Sequence, residues 1–282
     1  MTKEIIGLPT GFKEIDEKLG GLRKGEVMVI ASRPSVGKTS LAMNIAECLS
    51  LGRDINGIPF VGRNEGKHAV LYFSLKMPSA SIARRMLYSL AHVNAWHLER
   101  DTIDEAETAA LKVAVADAAN ELGRARLYVE DTPNLDIEEL CEKAKSMTRD
   151  NGFDLVVVDY LQLCKSEVAS QCGRKSELSH VFAHLKLLAM ELMVPVVVLA
   201  QLFKQTSRVE FPKLSDLRDV AVIEGNADVV MLLHRPSLLC EFGDGTVNEN
   251  LATIDVVQNR HGETGKINMT FSRELMRFSN AI

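Results

Sequence analysis

The chain has no run approaching the roughly 20 apolar residues of a membrane span, no C-x-x-C pair, no excess of positive charge, no internal repeat and no low-complexity linker. Each absence removes a class. The N-terminus, MTKEIIGLPTGF, also has no apolar core, so the chain is expected to be soluble, cytoplasmic and without a membrane partner. Its five cysteines, Cys48, Cys141, Cys164, Cys172 and Cys240, are odd in number and scattered, which suits a reducing cytosol and no structural zinc. A formal net charge of -5 does not give the basic footprint of a typical nucleic-acid binder. Any such contact has to come from a local patch or from several subunits converging.

What is present is ordinary soluble composition over 282 residues, 46% hydrophobic and 25% charged, enough for one large α/β domain. The most informative stretch is Val27 to Asn44, VMVIASRPSVGKTSLAMN: an apolar strand, a tight turn and a helix. Ser32 to Thr39 fits the phosphate-loop pattern G-x-x-x-x-G-K-[ST] at every defining position but the first, where Ser32 replaces glycine. Backbone N–H groups around Gly37 and the positive end of the helix dipole point at phosphate oxygens, Lys38 reaches the β and γ phosphates, and the Thr39 hydroxyl can ligate Mg²⁺. Arg33, Pro34, Ser35, Val36 and Ser40 complete the expected nucleotide-binding segment. ATP and Mg²⁺ are the implied ligands.

Ahead of this loop, residues 1 to 25 read as a lead with an amphipathic helix, Thr10 as its N-cap, Phe12, Ile15 and Leu19 on one face and Gly20-Gly21 as its stop. The domain proper runs over 26 to 282. A second apolar strand spans His68 to Ser74 and leads into Leu75-Lys76-Met77. Helices are expected over Ser79 to Val93, Asp104 to Leu122, Ile137 to Arg149 and Glu177 to Leu192, and a short strand over Arg126 to Glu130. Three near-continuous apolar runs, Asp154 to Leu163, Val194 to Leu202 and Ala227 to Leu233, indicate a mostly parallel sheet covered by helices on both faces. The final segments, Ala252 to Gln258 and Gly265 to Phe271, alternate and flank a turn as an antiparallel hairpin would. Asp159 ends the most apolar strand, where a phosphate-loop fold needs a carboxylate for the Mg²⁺ shell, and Gln201 ends the next, where it can sense a γ-phosphate.

In order, GLPTGFKEIDEKLGGL, ASRPSVGKTSLAMNIA, YFSLKM, LVVVDYLQL, PVVVLAQL, SDLRDVAVIEGNADVVMLLHR and VVQNRHGETG resemble the helicase domain of the DnaB-type replicative DNA helicases of bacteria and phages, from about residue 7 to the C-terminus. The resemblance implies a RecA-like fold, a homo-oligomeric six-membered ring around single-stranded DNA, ATP between subunits, and other replication proteins as partners. The family's N-terminal primase-binding domain has no counterpart in this sequence. By the same resemblance, Lys38 and Thr39 bind phosphate and magnesium, Asp159 orients the metal, Gln201 is the γ-phosphate sensor and Arg260 is an arginine finger acting on the neighbour's site. Arg218, Asp219 and Ala221 match the loop that grips the DNA backbone. Four departures stand beside these matches. The family's catalytic glutamate is Lys76, its finger lysine is Gln258, the DNA loop's Glu and Gly are Asp219 and Ala221, and a helix arginine near His180 to His184 is Ala183.

Two readings therefore stand: a ring-forming ATP-dependent DNA helicase, and a nucleotide-binding subunit that regulates or joins such a ring without turning ATP over. Lys76 favours the second; Asp159, Gln201 and Arg260 favour the first. A RecA-type recombinase or clock-type ATPase would share the phosphate loop but not the SDLRDVAVIEG block.

Overall fold

Alternating apolar strands and amphipathic helices close into a nine-stranded sheet in the order β3-β2-β4-β5-β1-β6-β7-β8-β9. This is a computed structural model that describes residues 5–94, 105–202, 211–217, 220–236 and 249–281. The first six strands of that order are parallel: β3 (Leu127–Glu130), β2 (Val70–Ser74), β4 (Leu155–Asp159), β5 (Val196–Gln201), β1 (Val27–Ser32) and β6 (Val229–His234). The other three, β7 (Leu251–Asn259), β8 (Gly265–Ser272) and β9 (Arg277–Asn280), add on antiparallel. Every residue of β1, β2, β4 and β6 is buried, because helices cover both faces and neither face needs polar side chains.

Among the described residues the helices are α1 (Lys13–Leu19), α2 (Lys38–Leu51), α3 (Ser79–Leu90), α4 (Glu105–Leu122), α5 (Ile137–Asn151), α6 (Glu167–Ser170), α7 (Arg174–Leu192) and α8 (Val220–Asn226). One core joins Ile15 of α1 and Leu41, Ile45 and Leu49 of α2 to Ile30, Tyr72 and Met231 of the sheet. The other joins Leu140 of α5 and Phe182 and Leu185 of α7 to Val29, Phe73 and Val158 on the opposite face. Among the described residues no helix is long and apolar enough to cross a membrane.

Several boundaries differ from expectation, each for a local reason. The α1 cap is Phe12, not Thr10, because the Thr10 hydroxyl accepts from Phe12 N–H and closes a turn ahead of the helix. The second strand starts at Val70, not His68, whose ring lies against the Asn64 carbonyl and Asp154. The strand expected to reach Leu163 stops at Asp159, where Leu75 N–H takes the Asp159 carbonyl and a 3-10 turn spans Leu161–Leu163. The third helix ends at Leu90 rather than Val93, with His92 at φ 54. The short helices α6 and α8 and the edge strand β9 add to the expected elements.

Candidate nucleotide site

The parallel strands carry their C-terminal ends to one edge of the sheet; there β2 and β4 deliver Ser74 and Asp159 side by side, and β1, with β5 between it and β4, delivers Ser32. Ser32 explains why the first motif position tolerates a residue other than glycine. It is the last residue of a strand, fully buried, paired in register with Gln201 and Leu233, and absent from the positive-φ positions. Gly37 is different: its φ is 117, and a Cβ there would stand 3.1 Å from the Phe278 ring. Glycine is favoured at that turn by conformation first, and the close Phe278 ring adds to the preference.

A cavity of about 560 Å³ opens over the loop, lined by Ser35, Gly37, Lys38, Thr39 and Ser40 from the loop and α2, by Lys76 and Met77 after β2, and by Asp159. Arg85, Arg235, Phe271, Arg273 and Met276 complete it. Five of these residues are cationic and one is a carboxylate, so the cavity suits a polyanion. The Thr39 hydroxyl donates to Asp159 Oδ2 at 2.9 Å, and the Tyr72 hydroxyl donates to the same oxygen at 3.0 Å. Adjacent oxygens of an octahedral Mg²⁺ shell, with bonds of ~2.0–2.1 Å, stand ~2.9 Å apart. The hydroxyl and carboxylate of Thr39 and Asp159 fit such an ion.

Burial is the largest influence on both charges at the loop. It pushes the Asp159 carboxyl above its ordinary value, opposed by hydrogen bonds from Thr39 and Tyr72 and by the charges of Lys38 and Lys76. It pulls the Lys38 ammonium below its ordinary value, Asp159 opposing and Lys76 adding to the fall. The ammonium groups of Lys38 and Lys76 lie 5.4 and 5.7 Å from the centroid of the Tyr160 ring. Two like charges flanking one ring leave a space in which an anion gains from both.

The far wall was not legible in the motifs. Arg235, nearly fully buried just past β6, stacks its guanidinium 4.0 Å from the Phe271 ring centroid, and its Nε has no hydrogen-bond partner among the described residues. Burial, with Arg273 beside it, lowers its pKa to about 10. The wall is held by β9: the Arg277 guanidinium donates to Glu47 of α2 at 2.8 and 3.1 Å, and Phe278 N–H donates to Asn44 Oδ1 at 3.0 Å.

Of the remaining predicted residues, Arg33 is half-buried, Pro34 is exposed and Val36 packs into the core beside the loop. Gln201 ends β5, the strand between β4 and β1, but its side chain is not among the residues that line the cavity. Its N–H donates to Gln162 Oε1, and Gln162 Nε2 donates back to the Gln201 carbonyl, both at 3.1 Å, so a side chain from the turn after β4 fixes the end of β5. Arg260 lies at the opposite end of the sheet. Its N–H donates to the Asp228 carbonyl, and Asp228 also accepts Val27 N–H, at the start of β1. Five strand steps from Val27 to Ser32 put it roughly 16 Å from the level of its own phosphate loop. Its guanidinium donates to the Gly225 carbonyl at 2.7 Å, and Gln258 donates to the Glu224 and Ala227 carbonyls, tying the hairpin to the end of α8. Ala221 is exposed near the start of α8; Arg218 and Asp219 lie outside the described residues.

The strand order and the loop-to-helix turn define a RecA-like phosphate-loop nucleotide-binding domain. Within that class the chain belongs to the family of the DnaB-like helicase C terminal domain, which it matches over residues 7–280. It is 31% identical over 279 residues to the replicative DNA helicase DnaC of Bacillus subtilis (strain 168), the match covering 98% of this chain and 57% of that one. Against the replicative DNA helicase DnaB of Leifsonia xyli it is 33% identical over 278 residues, covering 98% and 56%. The chain thus spans a little over half the length of the curated relatives it matches. Among solved structures, a DnaB-like replicative helicase described with its interactions with primase superposes at a TM-score of 0.85 and 26% identity, covering 99% of this chain and 63% of that one. An isolated ATPase domain superposes at 0.81 and 26% identity, covering 99% and 93%.

Proposed function

We propose that this chain is the ATP-driven motor domain of a replicative DNA helicase, binding ATP and Mg²⁺ between adjacent subunits of a ring that encloses single-stranded DNA. Residues 26–282 make the motor, and 1–25 are a lead fastened to it through Phe12, Ile15 and Leu19 in the core. The observation that carries the reading is the Thr39–Asp159 contact at 2.9 Å inside a cavity whose other charged lining residues, among those described, are all positive. The family match extends that reading from nucleotide binding to helicase chemistry.

In this reading the amides around Gly37, the start of α2 and Lys38 hold the phosphates, and Thr39 and Asp159 hold the metal, which neutralises phosphate charge. Arg235 and Phe271, one cation and one ring face, form a platform for the flat base. Gln201, fixed through Gln162, reports γ-phosphate loss across β5. Arg260 is an arginine finger for the neighbouring subunit, a role supported by its distance from its own loop. The DNA is gripped by the loop containing Arg218, Asp219 and Ala221, one per subunit. Several weak phosphate contacts in one channel let an acidic protein hold a strand.

One observation favours the alternative reading, a nucleotide-binding partner subunit that does not hydrolyse ATP. Among the described residues lining the cavity Asp159 is the only carboxylate, and it is already engaged by Thr39 and Tyr72. Lys76, at the family's glutamate position, cannot take a proton while charged.

The experiment is calorimetry with ATP and Mg²⁺ on the unmodified chain and on Lys38→Ala, followed by single-stranded DNA binding across a salt series. Micromolar or tighter ATP binding that collapses in Lys38→Ala is expected. DNA affinity should require assembly and fall with salt at a log–log slope of about -0.7 per phosphate contact. Equal ATP affinity for both proteins would leave the loop structural and end the proposal.

A further inference from the structure

Outside the nucleotide site, two histidines one helical turn apart on α7 and a glutamate on the adjoining α5 converge. Glu138, His180 and His184 can each offer one ligand atom, and all three atoms lie within 4.8 Å of one another. All three side chains are half-buried, so they are reachable from solvent but held by the helix pair. His180 turns Nδ1 toward Glu138 Oε1 at 3.6 Å. Two ligands of a tetrahedral ion with bonds of ~2.0–2.1 Å stand ~3.3 Å apart, so this pair is already near the spacing that a metal needs.

The surroundings supply what such a site requires. His184 Nδ1 sits 2.9 Å from the His180 carbonyl; donation to that oxygen leaves the Nε2 lone pair as the ligand atom. A ligating histidine characteristically donates its other ring N–H in this way. Ser166 Oγ, which also accepts Ala169 N–H, lies 2.9 Å from His180 Nδ1, a hydrogen bond that an ion at that nitrogen replaces. Asp136, which caps α5 by accepting Glu138 N–H at 3.0 Å, brings a second carboxyl close. A cation relieves that crowding of acidic groups.

We propose that Glu138, His180 and His184 bind a divalent transition-metal ion of the Zn²⁺ class, which staples α5 to α7 across one face of the sheet. Two imidazoles and one carboxylate match the ligand preference of such ions and leave one position for water. The expectation of no structural zinc rested on the scattered cysteines; this site uses none. The nucleotide loop is not involved, so the proposal stands apart from helicase chemistry.

The test is titration of the full chain with Zn²⁺ against a chromophoric chelator, with Co²⁺ absorption as a readout of ligand geometry. One equivalent should bind, produce a tetrahedral Co²⁺ spectrum and raise the melting temperature. His184→Ala should remove the spectrum, Glu138→Gln should weaken binding by about tenfold or more, and Cys172→Ser should change nothing. Glu138→Gln alters only a half-exposed carboxyl and keeps the test valid if the histidine variant fails to fold. The proposal is overturned by no bound equivalent at micromolar free Zn²⁺. It is equally overturned if the bound equivalent survives both ligand variants or is lost with Cys172.

Discussion

Replacing Lys76 with glutamate reverses one charge at the end of β2, beside the only carboxylate that the described residues give the cavity. Its effects on binding and on turnover should run in opposite directions. The ammonium groups of Lys38 and Lys76 flank Tyr160 at 5.4 and 5.7 Å, so a γ-phosphate held by Lys38 lies within reach of Lys76. At ~6 Å a unit charge pair is worth ~0.7 kcal/mol at water's dielectric and ~2.8 kcal/mol at an effective value of ~20. Lys76 is exposed, so the lower part of that range applies, near ~1 kcal/mol. A change of two charge units then weakens ATP binding by ~2 kcal/mol, or roughly thirtyfold. A positioned general base typically supplies ~10² to 10⁴ in rate. Single-turnover hydrolysis at saturating ATP should therefore rise by at least ~10-fold to 100-fold in Lys76→Glu while calorimetry shows the looser binding. Steady-state rates would conflate the two, which is why saturation is needed. The reasoning fails if the unmodified chain already turns over at ~1 to 10³ per second and Lys76→Glu leaves both rate and affinity unchanged.

Two further outcomes are expected. Mixing Arg260→Ala with Lys38→Ala subunits of a background that hydrolyses ATP should restore part of the activity, since an arginine finger contributes ~10³ to 10⁵ and acts in trans; absence of complementation assigns Arg260 to its own hairpin, where it already holds the Gly225 carbonyl. Burial raises the Asp16 carboxyl to about 7 from 3.8, against hydrogen bonds from Thr10 and Gly11 that lower it. Between those values the folded chain keeps a proton that the unfolded chain has released, so stability falls as pH rises through that window by up to ~1.4 kcal/mol per unit. Asp16→Asn should flatten that slope in denaturant titrations from pH 4 to 8, and an unchanged slope would show that Asp16 titrates normally.

The loop, the sheet and the second face of the site differ in how visible they were before the fold, and the difference is one of range. Strands buried on both faces have to be apolar throughout, so β1, β4, β5 and β6 stood out as runs of valine, leucine and alanine. The phosphate loop is a local device in which strand, turn and helix follow one another within Val27 to Asn44, and its chemistry is carried by adjacent residues. Asp159 was legible for a related reason, a charge terminating an apolar strand. Its placement against Thr39, 120 residues away, depends on the register that sets Ser74 beside Asp159 and Ser32 beside Gln201.

The far wall, with Arg235 and Phe271, had no such local signature. Arg235 follows β6 and Phe271 lies in β8, and they meet only because β7 and β8 fold back antiparallel onto β6. β9 is a four-residue edge strand, RFSN, with no apolar run to mark it; its polarity belongs to long-range contacts, Arg277 with Glu47 across 230 residues of sequence and Phe278 N–H with Asn44. A buried arginine is costly unless its hydrogen bonds are met. Arg277 meets them with Glu47, Ser89 and the Ile55 carbonyl and so acts as a structural clamp between α2 and β9. Arg235 is buried, its Nε has no hydrogen-bond partner among the described residues, and it lines a cavity with four other cations. The contrast between these two arginines separates a residue whose hydrogen bonds hold the wall from one that lines the cavity and stacks on Phe271.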